Sequence, residues 1–181
     1  MEKILVSACL IGQRVRFHGG DAECAHPTFR RWFQEGRLVP VCPEVDGGLQ
    51  TPRPGAEIVG TGGGGGVIAN LACVRTSAGA DLTGAFLGGA RIALETARRH
   101  NIRIAILKDG SPSCGSSFVY DGTFSGRRAA DVGVTTALLQ NNGIRVFNDR
   151  EIDAAESWLE ELSRQSGVLS KTCTPNLRCS G

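Results

Sequence analysis

Short apolar runs recur along this 181-residue chain, each separated from the next by a segment with helical spacing. That alternation constrains the fold more than any other feature. "KILVSAC" (3–9) reads as a buried strand, and "RLVPVC" (37–42), "IRIAILK" (102–108) and "IRVFN" (144–148) read as further strands. "HPTFRRWFQEG" predicts a helix that starts near His26-Pro27 and stops at Gly36. "LTGAFLGGARIALETARRHN" predicts another, with Phe86, Ala90, Ala93, Leu94 and Ala97 on one face and Thr83 or Asp81 at its start. "GVTTALLQNNG" predicts a helix closed by Gly143, and "DREIDAAESWLEELSRQ" a final helix capped by Asp149. Strands and helices alternating at these lengths predict an α/β domain with a largely parallel sheet.

The length allows one such domain, expected over residues 1–165, with a loosely ordered tail over 166–181. Twenty Lys+Arg against 18 Asp+Glu give a net charge of +2, which argues against the basic stripe of a nucleic-acid binder. No apolar stretch approaches the ~20 residues that span a bilayer, and "MEKILVSACL" lacks a cleavage pattern. A cytoplasmic location is therefore expected. The run "GTGGGGG" (60–66) lacks the strand–helix context of a G-x-G-x-x-G phosphate cradle and reads as a flexible turn.

Seven cysteines without a signal peptide point to reduced thiols. Cys9 and Cys42 end the first two strands, and Cys114 follows the third by a short loop, "KDGSPSCGSS". In an open parallel sheet ligands bind beyond the carboxyl ends of the strands, so topology can gather three cysteines that the sequence keeps far apart. No C-x-x-C pair of the kind that nucleates structural zinc sites occurs. Spacing alone leaves two readings open, a three-cysteine metal site and three unrelated reduced thiols. Cys24 and Cys73 read as ordinary buried thiols.

The blocks "SACLIGQRVRF", "CPEVDGGLQTPRPGAEI", "GADLTGAFLGGA", "LKDGSPSCGSSFVYDGTFSG" and "GVTTALLQNNGIRVF" together resemble the bacterial thiouracil desulfurases, once a domain family of unknown function. The resemblance runs in order from Lys3 to about Phe147. It implies a Rossmann-like three-layer α/β domain and an oxygen-sensitive 4Fe–4S cluster held by Cys9, Cys42 and Cys114, with one iron free of protein ligands. It also implies an enzyme that removes sulfur from a thiolated pyrimidine, releasing hydrosulfide and the oxo base with no net redox change. The polyglycine run and His18 depart from the family pattern and bear on substrate preference; Cys173 and Cys179 have no counterpart in its motifs.

On this resemblance Glu44, in "CPE", is expected to activate water or pass protons to the leaving sulfur, although a carboxylate near a turn is ordinarily a cap or a surface ion pair. Ser111 is expected to act beside it. Ser7, Ser113 and Gly115 are expected to contact substrate, and Arg14, Arg16 and Arg53 to bind an anionic portion of it. Ser-Pro-Ser and exposed arginines also have plain readings as turn chemistry and solvated charge. Asp121-Gly122 signals a tight hairpin beside the site. Two other functional classes remain open, a zinc- or persulfide-handling thiol protein and a noncatalytic module that binds nucleotides or thiolated RNA. The sequence leaves the oligomeric state unassigned.

Overall fold

The computed structural model describes residues 1–169. The chain opens with strand β1 (Ile4–Ser7), a 3-10 turn (Ala8–Ile11), helix α1 (Pro27–Gln34), strand β2 (Leu38–Val41) and a single helical turn, α2 (Pro43–Asp46). Strand β3 (Ala56–Gly60), helix α3 (Gly63–Ile68), strand β4 (Ala72–Thr76) and the long helix α4 (Thr83–Arg99) follow. Strand β5 (Ile104–Leu107), the short strands β6 (Val119–Tyr120) and β7 (Arg128–Ala129), helix α5 (Val134–Asn141), strand β8 (Arg145–Asn148) and helix α6 (Ile152–Leu169) complete the fold.

Four strands form one parallel sheet in the order β2-β1-β5-β8. Period-two alternation divides their side chains between two cores. Ile4, Val6, Ile104 and Ile106 face Phe29 and Trp32 of α1 and Ile152, Ala155 and Leu159 of α6. Leu5, Ala105 and Leu107 face the other way, onto Ala93, Leu94 and Ala97 of α4 and Leu139 of α5. Burial on both faces is why these strands read as continuous apolar runs. Pro40 lies on β2, an edge strand that pairs only with β1, where a missing N–H costs no ladder bond. The predicted three-layer, Rossmann-like α/β arrangement is present. Among the described residues no helix is long and apolar enough to cross a membrane.

The order places β1 between β2, its successor in the sheet, and β5, reached only after a long excursion. The strand order reverses there, and the crevice beyond the carboxyl ends of β1 and β5 is a topological switch point.

Three expectations about local structure need correction. The polyglycine run is helical, not a loose turn: α3 begins at Gly63, and Gly63, Gly64 and Gly66 are buried. A Cβ on Gly64 would lie 2.3 Å from the Gly133 carbonyl, and one on Gly66 1.8 Å from the Thr61 oxygen. Glycine permits this close packing and outweighs its poor helix propensity. Asp149 does not cap α6. Its carboxylate instead accepts from Lys108 Nζ at 2.7 Å and the Asp109 N–H at 3.0 Å. Asp121-Gly122 does not form a tight two-residue turn; it opens a longer loop joining the antiparallel β6 and β7. The hairpin of β3 and β4 was not foreseen; with α3 and α4 it builds a third core around Ile58, Val67, Val74 and Phe86.

The final helix runs to Leu169, so residues 166–169 are helical where a loose tail was expected. Cys173, Cys179 and the rest of that tail lie outside the described residues. At α4 the start signal is present: Asp81 Oδ1 accepts the Thr83 N–H at 2.8 Å.

Candidate active site

Each of the three cysteines sits immediately beyond the sheet. Cys9 lies in the 3-10 turn after β1, Cys42 between β2 and α2, and Cys114 in the loop after β5. All three line one cavity of about 640 Å³ at the carboxyl ends of these strands. Cys9 and Cys114 are buried and Cys42 is half-buried. Cys24 and Cys73 are half-buried, not fully buried as expected, and neither lines the cavity.

Burial pushes the Cys9 thiol up to about 11, against the pull of Arg16 and with Cys42 adding to the rise. Cys42 is raised as well, again chiefly by burial. Cys114 is raised further by burial; the Ser7 hydroxyl opposes this, while Glu44, Cys9 and Cys42 reinforce it. Three thiolates gathered here would repel one another, and an electron-poor metal centre relieves that by displacing their protons. Among the described residues no three His, Cys, Asp or Glu side chains converge to hold a single metal ion. The thiols share a cavity rather than a point, which suits a polynuclear iron–sulfur group better than a lone zinc ion.

Glu44, in the single turn α2, is held from both sides. Its Oε2 accepts from Arg53 Nε at 2.9 Å and Nη2 at 2.7 Å, and its Oε1 accepts from the Ser111 hydroxyl at 3.0 Å. Ser111 Oγ in turn accepts the Ser113 and Cys114 N–H groups at 3.0 and 3.3 Å. One hydroxyl thus ties the carboxylate to the loop that carries Cys114.

Arg53 has a different place from the expected anion site. Beyond Glu44 it donates to the Val15 and Gln50 carbonyls and the Thr51 hydroxyl, so all five N–H groups are engaged. None is left for a substrate anion, and the guanidinium orients Glu44 instead. Arg14 is exposed and does not line the cavity, whereas Arg16 does, with one bond to the Asp21 carbonyl.

Ser113 and Gly115 also depart from expectation. Ser113 is fully buried, its hydroxyl 2.8 Å from Thr135 Oγ1 on α5. Gly115 faces away from the cavity, and a Cβ there would meet the Phe118 carbonyl at 2.5 Å. Ser7 does line the cavity and accepts the Lys108 N–H at 2.9 Å.

Sequence reasoning missed Asp109 and the aromatic residues of the cavity. Asp109 Oδ1 accepts the Ser116 and Ser117 N–H groups, and its Oδ2 bonds the Ser117 hydroxyl. Burial pushes its pKa up, but these bonds and the Gly110 N–H outweigh burial and hold the carboxyl below its usual range. The carboxylate thereby closes the loop around Cys114. An Asp-Gly pair directly after a buried strand was the signal for such a turn. Phe17, Phe118, Tyr120 and Phe124 line the remaining wall; of these, Phe118, Tyr120 and Phe124 lie within the motif block already singled out.

Comparison with known proteins gives three results. A family model described as 2-thiouracil desulfurase matches residues 4–151. The uncharacterized protein YbbK of Bacillus subtilis (strain 168) is 43% identical over 150 residues, covering 83% of this chain and 97% of YbbK. The solved structure of the 4Fe–4S-dependent thiouracil desulfidase TudS is similar at a TM-score of 0.80 and 42% identity, covering 88% of this chain and 99% of that one. The match spans the sheet and every cysteine of the cavity, and the chain belongs to the 2-thiouracil desulfurase family.

Proposed function

We propose that this protein is a 4Fe–4S-dependent desulfidase that converts a thiolated pyrimidine such as thiouracil to its oxo base and hydrosulfide. Cys9, Cys42 and Cys114 would hold the cluster, and three protein thiolates leave one iron without a protein ligand. When bound, the cluster supplies Lewis acidity toward sulfur and an acceptor for it as the C–S bond breaks.

The chain's own residues supply the rest. Glu44 is the general base: its carboxylate, fixed at one oxygen by Arg53 and at the other by Ser111, takes a proton from the water that attacks the thiocarbonyl carbon. Ser111 links Glu44 to the Cys114 loop, since its hydroxyl donates to Glu44 Oε1 and accepts the Cys114 N–H. Water contributes the oxygen of the new carbonyl and sulfur departs as hydrosulfide, so electrons balance without an external oxidant or reductant. Two of the three thiols, Cys9 and Cys114, are buried at the carboxyl ends of the strands.

The carrying observation is the bonded path Arg53–Glu44–Ser111–Cys114 within a cavity lined by three cysteines. The test is sulfide release from 2- and 4-thiouracil by anaerobically purified, iron-loaded protein. Stoichiometric uracil and sulfide support the reading. Brown, iron-replete protein that releases neither would refute it.

A further inference from the structure

Seven Phe, two Trp and one Tyr are the chain's aromatic residues, and four of them line the cavity. Two of the four are exposed where the protein core does not need them: Phe17 is 45% and Phe124 38% exposed. Phe17 packs edge-on against His18 and lies beside Gly55. Phe124 makes no ring contact with any aromatic residue among those described.

The backbone makes Phe124 unusual. Its φ is +57°, a region that a bulky side chain rarely occupies. The strain is held in place from below by Glu57 of β3, whose Oε2 accepts the Gly122 N–H at 2.9 Å and the Phe124 N–H at 3.0 Å. Gly122 rests so closely on β3 that a Cβ would fall 2.4 Å from the Ile58 carbonyl. Thr123 Oγ1 bonds Ser125 Oγ at 2.7 Å and closes the loop on itself. A strained residue persists only where its surroundings over-determine it, and such residues gather at ligand sites. Here the product of the strain is a flat apolar face presented at a cavity mouth. Tyr120, the only tyrosine, lines the same wall, and its hydroxyl makes no hydrogen bond among the described residues.

We propose that Phe124 is a specificity-determining residue whose ring stacks on the pyrimidine plane of the substrate, and that Glu57 is the positioning residue that presents it. This inference rests on the reading of the cavity as a thiouracil site. The preference it creates is for a flat heteroaromatic thiocarbonyl compound over a puckered one of the same size, because stacking needs a planar face. Tyr120 reads the ring edge with its hydroxyl.

The test uses iron-loaded protein and three probes: 4-thiouracil, its puckered 5,6-dihydro analogue, and uracil as a non-reacting ligand. Phe124→Gly tolerates the backbone conformation while deleting the ring. It should raise KM for 4-thiouracil and Kd for uracil roughly ten- to hundredfold, the range of base–aromatic stacking. Turnover per intact cluster should change much less, and the preference for the planar over the puckered substrate should shrink by a similar factor. Phe124→Tyr should bind uracil at least about fivefold more tightly than Phe124→Leu, which keeps apolar bulk without a π face. Glu57→Ala should raise KM, and the double variant with Phe124→Gly should be no worse than Phe124→Gly alone, because the two act through one ring.

Unchanged KM and uracil Kd in Phe124→Gly, in a protein that still releases sulfide, would overturn this inference and leave the desulfidase reading intact. Equal binding by the Leu and Tyr variants would also overturn it, making the residue a plain apolar cover. Wild-type protein that binds uracil through Phe124 yet releases no sulfide would support the stacking wall and refute the activity. Failure both to bind and to react would overturn both.

Discussion

Replacing Arg53 with Met tests whether Glu44 is held or merely adjacent. The Arg53 and Glu44 side chains are 8% and 16% exposed. Arg53→Met removes both bonds to Oε2 and strands the carboxylate, along with the Val15 and Gln50 carbonyls. Breaking a buried pair by deleting one partner costs about 3–5 kcal/mol, because the remaining charge loses its compensation. Partial exposure of Glu44 lets some water return, so about 3 kcal/mol is expected. For a chain of this size that lowers Tm by about 6–12 °C. Loss of orientation should cut sulfide release per intact cluster by about tenfold to hundredfold. Arg53→Met combined with Glu44→Gln should recover at least about 1 kcal/mol of stability, since no charge is then stranded. Anaerobic thermal unfolding and sulfide assays normalised to iron read both effects. A Tm within about 2 °C of wild type with full turnover would mean the pair behaves like a surface ion pair, and the argument that Arg53 positions Glu44 would fail.

Glu44→Gln should keep brown colour and near-normal iron while losing roughly 10²–10⁴-fold in turnover per cluster, the range of general acid–base catalysis; loss of iron instead would make Glu44 structural. Cys9→Ser, Cys42→Ser and Cys114→Ser should each strip or destabilise the cluster, whereas Cys24→Ser and Cys73→Ser should leave iron content nearly unchanged, as elemental analysis would show. In cluster-free protein the folded state holds the Cys9 proton more tightly than the unfolded chain, with about 11 against 9.0. Stability from this group is therefore complete below pH 9 and declines as pH rises through 11, which denaturant titrations at pH 8 and 10.5 would detect. Gly65 of α3 has open space where a Cβ would sit, so Gly65→Ala should stabilise by about 0.5–1 kcal/mol. Gly66→Ala must move the Thr61 carbonyl and should cost about 1–3 kcal/mol; equal effects on Tm would contradict the packing described for α3.

Strands β1 and β5 were legible because they are buried on both faces, and continuous apolar runs survive any ambiguity of register. The face of α4 was legible for the same reason: Phe86, Ala90, Ala93, Leu94 and Ala97 are all buried. What the sequence concealed was whatever close packing decides. Nothing local favours a helix that opens with four glycines; α3 exists because only glycine admits the backbones of Thr61 and Gly133. The three cysteines could be brought together on topology alone, since each follows a strand of one parallel sheet. The partners of single side chains could not. Arg53 looked like an anion receptor because a guanidinium advertises donors, and only the fold shows them all engaged. Ser111 and Ser113, two residues apart, face opposite ways because their loop turns between them.

That loop shows how the site gains rigidity without many strand residues of its own. The Val134 and Thr135 N–H groups of α5 donate to the Pro112 and Ser113 carbonyls at 2.9 Å, and Thr136 Oγ1 donates to the Cys114 carbonyl. Unpaired amides at a helix start need acceptors, and here the cysteine loop provides them. The approach is close enough that a Cβ on Gly133 would lie 2.4 Å from the Ser113 carbonyl. On the other side, α2 is seated on α4 in a similar way, with a would-be Cβ of Gly89 only 1.6 Å from the Pro43 oxygen and one of Gly47 2.1 Å from the Ala85 oxygen. Two of the three thiols are thus fixed through absent side chains on two separate helices, while Cys9 is fixed by the central strand. Shifts of α4 relative to α5 would therefore change the spacing of Cys42 and Cys114 directly. Helices α4 and α5 pack directly against each other and form one support for both loops. Geometry among the thiols is consequently a property of helix packing behind the sheet, not of the loops that carry them.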